Sequence, residues 1–85
     1  MPLWGRKEYS MKKMTMTVEG QKWVIIERNN GKFDVTTVDT LGYKWHESGM
    51  TFQEAGCWVW NMADNHDISR AVNHRMCERF NRTFA

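Results

Sequence analysis

Hydrophobic and polar positions follow two different periods along this chain. Between residues 14 and 18, Met14, Met16 and Val18 alternate with two threonines. Alternation with a period of two is typical of a strand that buries one face. After Thr51 the apolar residues instead recur every three or four positions, which is the spacing of an amphipathic helix. The pattern therefore predicts strands in the first half of the chain and helices in the second.

Three further segments predict strands. Residues 23–26 (Trp-Val-Ile-Ile) are apolar on both faces, as in a central strand. The Asn-Asn-Gly sequence at 29–31 indicates a hairpin, because asparagine and glycine tolerate a positive φ. Residues 33–38 alternate again and would form the returning strand, and residues 43–46 predict a short fourth strand.

Two helices are predicted after the strands. Thr51 and Glu54 form a Thr-x-x-Glu pattern, in which two residues cap each other's backbone donors at a helix start. Residues 52–63 then place one apolar stripe along the first helix. A second stripe would lie about 180° from the first on one straight helix. Its members are Ile68, Val72, Met76 and Phe80. We therefore expect a break at residues 64–67, with Asp67 as the N-cap of the second helix.

These elements predict a single α+β domain. We expect an antiparallel meander of three to four strands, followed by two C-terminal helices packed on one face of the sheet. Residues 14–85 would form this domain, and residues 1–13, which show no sustained period, an N-terminal arm.

The central strand predicts a surface that the helices cannot cover. Two helices pack on only one face of a sheet, yet residues 23–26 are apolar on both faces. The second face therefore needs another cover. The candidates are Leu3 and Trp4 of the arm, a second copy of the chain, or a partner protein.

Trp58 and Trp60 flank the apolar stripe of the first predicted helix on opposite sides. They lie about 160° apart around the helix axis, so they cannot both face the core. The second helix provides a surface for one of them. The other is the strongest indication in the sequence of a contact with a partner.

Composition narrows the class of protein. The chain has 85 residues, of which 41% are hydrophobic and 13% aromatic, enough for one folded domain with a modest core. The net charge is only +2, with the positive excess at the two ends of the chain. Cys57 and Cys77 are too few for a disulfide framework. No apolar run reaches transmembrane length, so we expect a cytoplasmic protein without a membrane partner.

The sequence contains no recognisable catalytic motif. There is no glycine-rich phosphate loop, Gly-x-Ser-x-Gly elbow or His-Glu-x-x-His pattern. The acidic and histidine residues at 64–67 suit turn and cap chemistry, so we expect a non-enzymatic protein without a cofactor. Zinc would have to use His46, Cys57, His66, His74 and Cys77. Only one close pair occurs in this set, whereas structural zinc sites have two, so we expect no metal.

Nucleic-acid binding is the second hypothesis for this chain. The basic and aromatic strand residues that would take part are Lys22, Arg28, Lys32, Lys44 and Trp45. With Trp23 and the Thr-Phe-Gln-Glu-Ala sequence at 51–55, they resemble integrase arm-type DNA-binding domains and similar plant transcription-factor domains. The resemblance implies a sheet that lies in the major groove. Four carboxylates on the same segments oppose it, because phosphate binding depends on an excess of Lys and Arg. They are Glu27, Asp34, Asp39 and Glu47.

The leading hypothesis is a non-enzymatic protein that occludes a surface on a macromolecular partner. Interface cores are enriched in Trp, Met and Arg, and the chain has five Trp and seven Met. The residues expected to contact a protein partner are Trp4, Trp58, Trp60, Arg75, Arg79 and Arg82. The three arginines lie at i, i+4 and i+7 and would share one edge of the second helix.

The general character of the chain resembles the small accessory proteins of bacteriophages. The features that carry the resemblance are its length, its aromatic and methionine content and the lack of a catalytic set. The resemblance implies inhibition of a host enzyme or defence complex. A small structural homodimer is the remaining alternative.

Overall fold

A computed structural model describes residues 12–85 as an antiparallel sheet followed by two helices. The strands are β1 (Lys12–Val18), β2 (Gln21–Glu27), β3 (Phe33–Val38) and β4 (Lys44–Met50), and the helices are α1 (Phe52–Asn65) and α2 (Arg70–Phe84). The strands pair in the order β1-β2-β3-β4. The predicted α+β meander with two C-terminal helices is thus confirmed.

Tight turns join the strands. Glu19 and Gly20 form the β1–β2 connection with φ angles of 52° and 82°, as in a type I′ hairpin. In the β2–β3 connection the Gly31 N–H donates to the Arg28 carbonyl at 2.9 Å, and Gly31 has a φ of 81°. The hairpin predicted at residues 29–31 is therefore present.

The core lies between one face of the sheet and the two helices. Trp23, Ile25 and Val35 are fully buried on the sheet side, and Ala55 and Val59 of α1 are fully buried opposite them. Four phenylalanine rings meet at one end of this core with centroid separations of 4.9 to 5.8 Å for five of their pairs. They are Phe33, Phe52, Phe80 and Phe84.

The start of α1 has the predicted capping box. The Glu54 N–H donates to Thr51 Oγ1 at 3.2 Å, and the Thr51 N–H donates to Glu54 Oε1 at 2.8 Å. Two backbone donors that a helix start leaves without a partner are thereby satisfied.

The N-cap of α2 differs from the prediction. Ser69, with extended backbone angles, caps the helix through its hydroxyl, which accepts from the Val72 N–H at 3.4 Å. Asp67 instead adopts a φ of 62°, and its N–H donates to the Asp64 carbonyl at 3.1 Å. Asp67 closes the turn after α1 and therefore cannot take the extended conformation of an N-cap.

Three strands extend beyond their predicted bounds, and β2 runs over Gln21–Glu27 instead of residues 23–26. β1 begins at Lys12, so residues 12 and 13 of the predicted arm belong to the sheet. β4 continues to Met50 because a bulge opposite Asp34, containing Gly49 with a φ of 70°, returns the strand to register. The rest of the predicted arm, including Leu3 and Trp4, lies outside the described residues.

Neither α1 nor α2 is long and apolar enough to span a membrane, and no other helix occurs in residues 12–85.

Candidate functional site

One face of the sheet is turned away from the helices and is called the open face below. Residues that pair directly across neighbouring strands have their side chains on the same face. One row of the open face is Thr15, Val24, Thr36 and His46. The next row is Thr17, Lys22, Val38 and Lys44. The open face therefore extends across all four strands.

Charged side chains are divided between the two faces of the sheet. Lys13, Lys22 and Lys44 are exposed on the open face. Glu27 pairs with Phe33 and Glu47 pairs with Val35, which places both carboxylates on the helix-covered face. Two of the four carboxylates that opposed nucleic-acid binding thus lie on the other side of the sheet from the lysines.

The remaining two carboxylates are engaged elsewhere. Asp34 lies on the open face but is buried, forms an ion pair with Arg28 and accepts from the Gly49 N–H at 3.2 Å. Asp39 lies in the β3–β4 turn, where Oδ1 accepts from the Leu41 and Tyr43 N–H groups, each at 2.9 Å. Neither is available as a free negative charge on the open face.

The middle of the open face combines small apolar and hydroxyl side chains. Val24, Ile26 and Val38 are half-buried there without a covering element among residues 12–85. Thr36 Oγ1 and His46 Nδ1 lie 2.8 Å apart and hydrogen-bond to each other. The helices cover Trp23 and Ile25, so Val24 and Ile26 form the apolar face of the central strand that the helices leave uncovered.

The residues predicted for nucleic-acid binding do not all lie together. Lys22 and Lys44 are on the open face, Arg28 borders it and pairs with Asp34, and Lys32 is exposed in the β2–β3 turn. Trp45 is on the opposite face, where its ring packs edge-on to His66 with centroids 4.5 Å apart. Trp45 therefore does not share the open face with Lys22 and Lys44. Lys13, Thr15, Thr17 and His46 also lie on the open face and were not in the predicted set, although the alternation of residues 14–18 already grouped the two threonines.

The two tryptophans of α1 face different elements. Trp60 packs edge-on to His74 of α2, with ring centroids 5.0 Å apart. Trp58 lies on the side of β4 and lines an open groove of about 700 Å³, called the Trp58 groove below. Glu47 and Glu54 also line this groove. As predicted, α2 covers one tryptophan, whereas β4 partly covers the flank of the other.

The arginine row (Arg75, Arg79 and Arg82) is exposed on α2, on the side of β1. Arg79 Nη2 donates to the Thr15 carbonyl of β1 at 3.4 Å. Because β1 and β4 are the two edges of the sheet, the row and the Trp58 groove lie on opposite sides of the molecule. The structure therefore does not join Trp58 and the arginines into one surface.

The possible soft metal ligands are dispersed. Within the described part of the chain, no three His, Cys, Asp or Glu residues are grouped as a metal site requires. Cys57 and Cys77 line a shallow cleft of about 420 Å³ between the helices and are free thiols. Burial, and secondarily a negative charge on Cys57, raise the pKa of the Cys77 thiol.

The chain matches no family model, and no curated protein or solved structure is significantly similar to it.

Proposed function

We propose that this protein is a non-enzymatic nucleic-acid-binding protein that contacts duplex DNA through the open face of its sheet. The observation that carries the proposal is the division of charge between the two faces. Lys13, Lys22 and Lys44 share the open face, while Glu27 and Glu47 lie on the helix-covered face. Lysines that neutralise phosphates supply the sequence-independent part of DNA affinity.

The whole sheet is wider than the major groove, so only its two central strands would enter the groove. Neighbouring strands lie about 4.8 Å apart, so four strands span about 14 Å. The major groove is about 12 Å wide. The central strands would then face the bases, and Lys13 and Lys44, on the two edge strands, would lie near the phosphates of the groove walls.

The side chains between these lysines suit contacts with base edges. Hydroxyl groups such as those of Thr15 and Thr36 can donate to or accept from bases, and aliphatic groups such as Val24 can contact a thymine methyl. These rows contain no Phe, Tyr or Trp, and His46 is their one aromatic ring, so they lack the series of rings on which successive unpaired bases would stack. Duplex DNA is therefore the preferred ligand.

A titration with duplex DNA at about 50 and 200 mM salt tests the proposal. The test variant combines Lys13→Gln, Lys22→Gln and Lys44→Gln. It should reduce the magnitude of the negative slope of log K against log salt by about 0.9 for each phosphate contact removed. The matched control changes the same number of positive charges outside the open face, at Lys12, Arg70 and Arg82.

The control should bind duplex DNA nearly as the wild type does. If it weakens binding as much as the test variant, net charge rather than the open face carries the affinity. If the wild-type protein does not bind duplex DNA at low salt, the proposal is wrong.

We also propose, as a second candidate, a protein that occludes a partner protein, in the manner of a phage-type inhibitor. The Trp58 groove favours this function, because a half-buried indole beside a groove can anchor in a partner. Trp58→Ala should weaken binding to a protein captured from the source cell by more than about 1 kcal/mol. Trp60→Phe is the control, since Trp60 packs on α2. Equal affinities would exclude Trp58 as an anchor, and light scattering would detect the alternative homodimer.

A further inference from the structure

The strand β1 has a free edge. In the described part of the chain it pairs with β2 alone. The two-residue type I′ turn makes Val18 and Gln21 a hydrogen-bonded pair, so the pairs alternate from there along β1. The N–H and C=O groups of Lys13, Thr15 and Thr17 therefore point away from β2. The Arg79 contact with the Thr15 carbonyl agrees with this direction.

A groove runs beside this edge, between β1 and α2, and is called the edge groove below. Its volume is about 200 Å³. Apolar side chains form part of its lining, namely Met16, Val18, Val72 and Met76. Arg75 and Arg79 complete the helix side of the groove. The edge groove thus has an apolar lining and positive charge, and it lies beside main-chain groups that the pairing with β2 does not use.

The positive charge of this region is not neutralised within the described residues. The arginine row, Lys12 and Lys13 are all exposed. The ion pair found in residues 12–85 is that of Arg28 with Asp34, so none of these five side chains has a carboxylate at ion-pair distance there. Glu78 is the acidic residue on the described length of α2.

From these features we propose that the β1 edge binds an acidic, extended segment of a partner protein as a fifth strand. Main-chain hydrogen bonds to Lys13, Thr15 and Thr17 would supply affinity. Alternate side chains of the segment would enter the edge groove, where apolar groups contact Met16 and carboxylates pair with Arg79. The inference is independent of DNA binding by the open face.

A second copy of this chain is a poorer occupant of the edge. Pairing β1 with β1 of another copy would bring two arginine rows and four β1 lysines together. Like charges placed opposite one another across an interface are unfavourable. An acidic segment instead complements the same charges.

The experiment uses an octapeptide of alternating valine and glutamate, with a valine–lysine octapeptide as its control. The acidic peptide should bind to the full-length protein, shift the NMR signals of the Lys13, Thr15 and Thr17 amides and slow their hydrogen exchange. The basic peptide should not bind. Binding of both peptides, or of neither, would overturn the proposal.

Two variants separate main-chain pairing from charge. Thr15→Pro removes an N–H that the β1–β2 pairing does not use, so proline is acceptable at this edge position. Thr15→Pro should lower the affinity for the acidic peptide by about tenfold or more. Thr15→Ala, which keeps the N–H, should leave that affinity unchanged. The double variant Arg75→Gln and Arg79→Gln should lower the affinity for the acidic peptide by a comparable factor. The affinity that remains should depend less on salt.

Each alternative has its own outcome. Unchanged peptide affinity in a folded Thr15→Pro variant would exclude strand addition. If that variant does not fold, the arginine variant and the exchange rates of the edge amides test strand addition in its place. A different result would be an arginine variant that binds duplex DNA more weakly than the wild type and binds the peptide equally well. In that case the arginines belong to the nucleic-acid surface and the proposal is wrong.

Discussion

Glu54 acts as a helix cap through its carboxylate form. The Thr51 N–H donates to this carboxylate, and that hydrogen bond is the main reason why the pKa of Glu54 is lowered from its ordinary value of 4.5. The Thr51 hydroxyl is the next contribution. A carboxyl group whose pKa is lower in the folded state stabilises the fold above its unfolded pKa and loses that effect as pH falls.

This hydrogen bond predicts a specific pH dependence. The stabilisation by Glu54 should be complete above pH 4.5 and disappear as pH falls through its lowered folded-state pKa. Glu54→Gln should lack this component, because an amide oxygen accepts the Thr51 N–H at any pH. Urea unfolding of both proteins across this pH range measures the difference. Parallel pH profiles for the wild type and Glu54→Gln would contradict the prediction.

At the level of elements, the turns set the register of the sheet. Gly20 in the β1–β2 turn and Gly31 in the β2–β3 turn have nearly the same φ, 82° and 81°. Their surroundings differ. A Cβ on Gly20 would lie 2.7 Å from Thr40 Cγ2, whereas a Cβ on Gly31 would have no such neighbour within 4 Å. Comparing alanine substitutions at the two positions therefore separates the cost of backbone strain from the cost of a steric contact.

The pair of glycines gives a matched stability prediction. Gly31→Ala should lose about 1–2 kcal/mol, the cost of a left-handed conformation for an L-residue. Gly20→Ala should lose about 1 kcal/mol more, because its methyl group also contacts Thr40. Thr40→Ser removes the contacting methyl and should restore that excess in the Gly20→Ala background. The measurement is urea unfolding, and equal losses at both glycines would refute the steric explanation.

At the level of the whole molecule, charge is arranged by surface. Lys13, Lys22 and Lys44 are on the open face, the arginine row borders the β1 edge, and Glu47 and Glu54 lie in the Trp58 groove beside β4. The net charge of +2 does not reveal this arrangement. At physiological salt, exposed charges more than about 8 Å apart are largely screened from each other. Each surface should therefore respond mainly to changes in its own charges.

This separation predicts that charge substitutions on one surface affect the binding of one proposed ligand and not of the other. The double variant Lys22→Gln and Lys44→Gln should bind duplex DNA more weakly and bind the valine–glutamate peptide with nearly the wild-type affinity. Arg75→Gln with Arg79→Gln should do the reverse. Both affinities can be measured by calorimetry at about 0.15 M salt. Equal losses for both ligands in either variant would show that the two surfaces act as one.

Local patterns in the sequence predicted most of the fold. The alternation in β1, the Asn-Asn-Gly hairpin and the Thr51–Glu54 capping box each depend on residues close together in the chain, and all three are present. The N-cap of α2 was predicted wrongly because Asp67 and Ser69 are both good caps. The backbone of the turn after α1, which places Asp67 at positive φ, selected Ser69.

The candidate sites could be predicted only in part. The spacing of Arg75, Arg79 and Arg82 on a helix and the opposite flanks of Trp58 and Trp60 follow from the helical period. The position of the arginines beside β1 and of Trp58 beside β4 does not, because no local pattern relates a helix face to a strand far away in the chain.

The sequence by itself determined the order and type of the elements, since period, caps and turn residues act over a few neighbouring positions. It also determined that Lys22 and Glu27 lie on opposite sides of β2, because side chains alternate. Only the tertiary structure decided which side the helices cover, and that Glu47 of β4 joins Glu27 there. Strand register relates residues that are distant in sequence, so it alone joined Lys13, Lys22 and Lys44 on one face and the two carboxylates on the other.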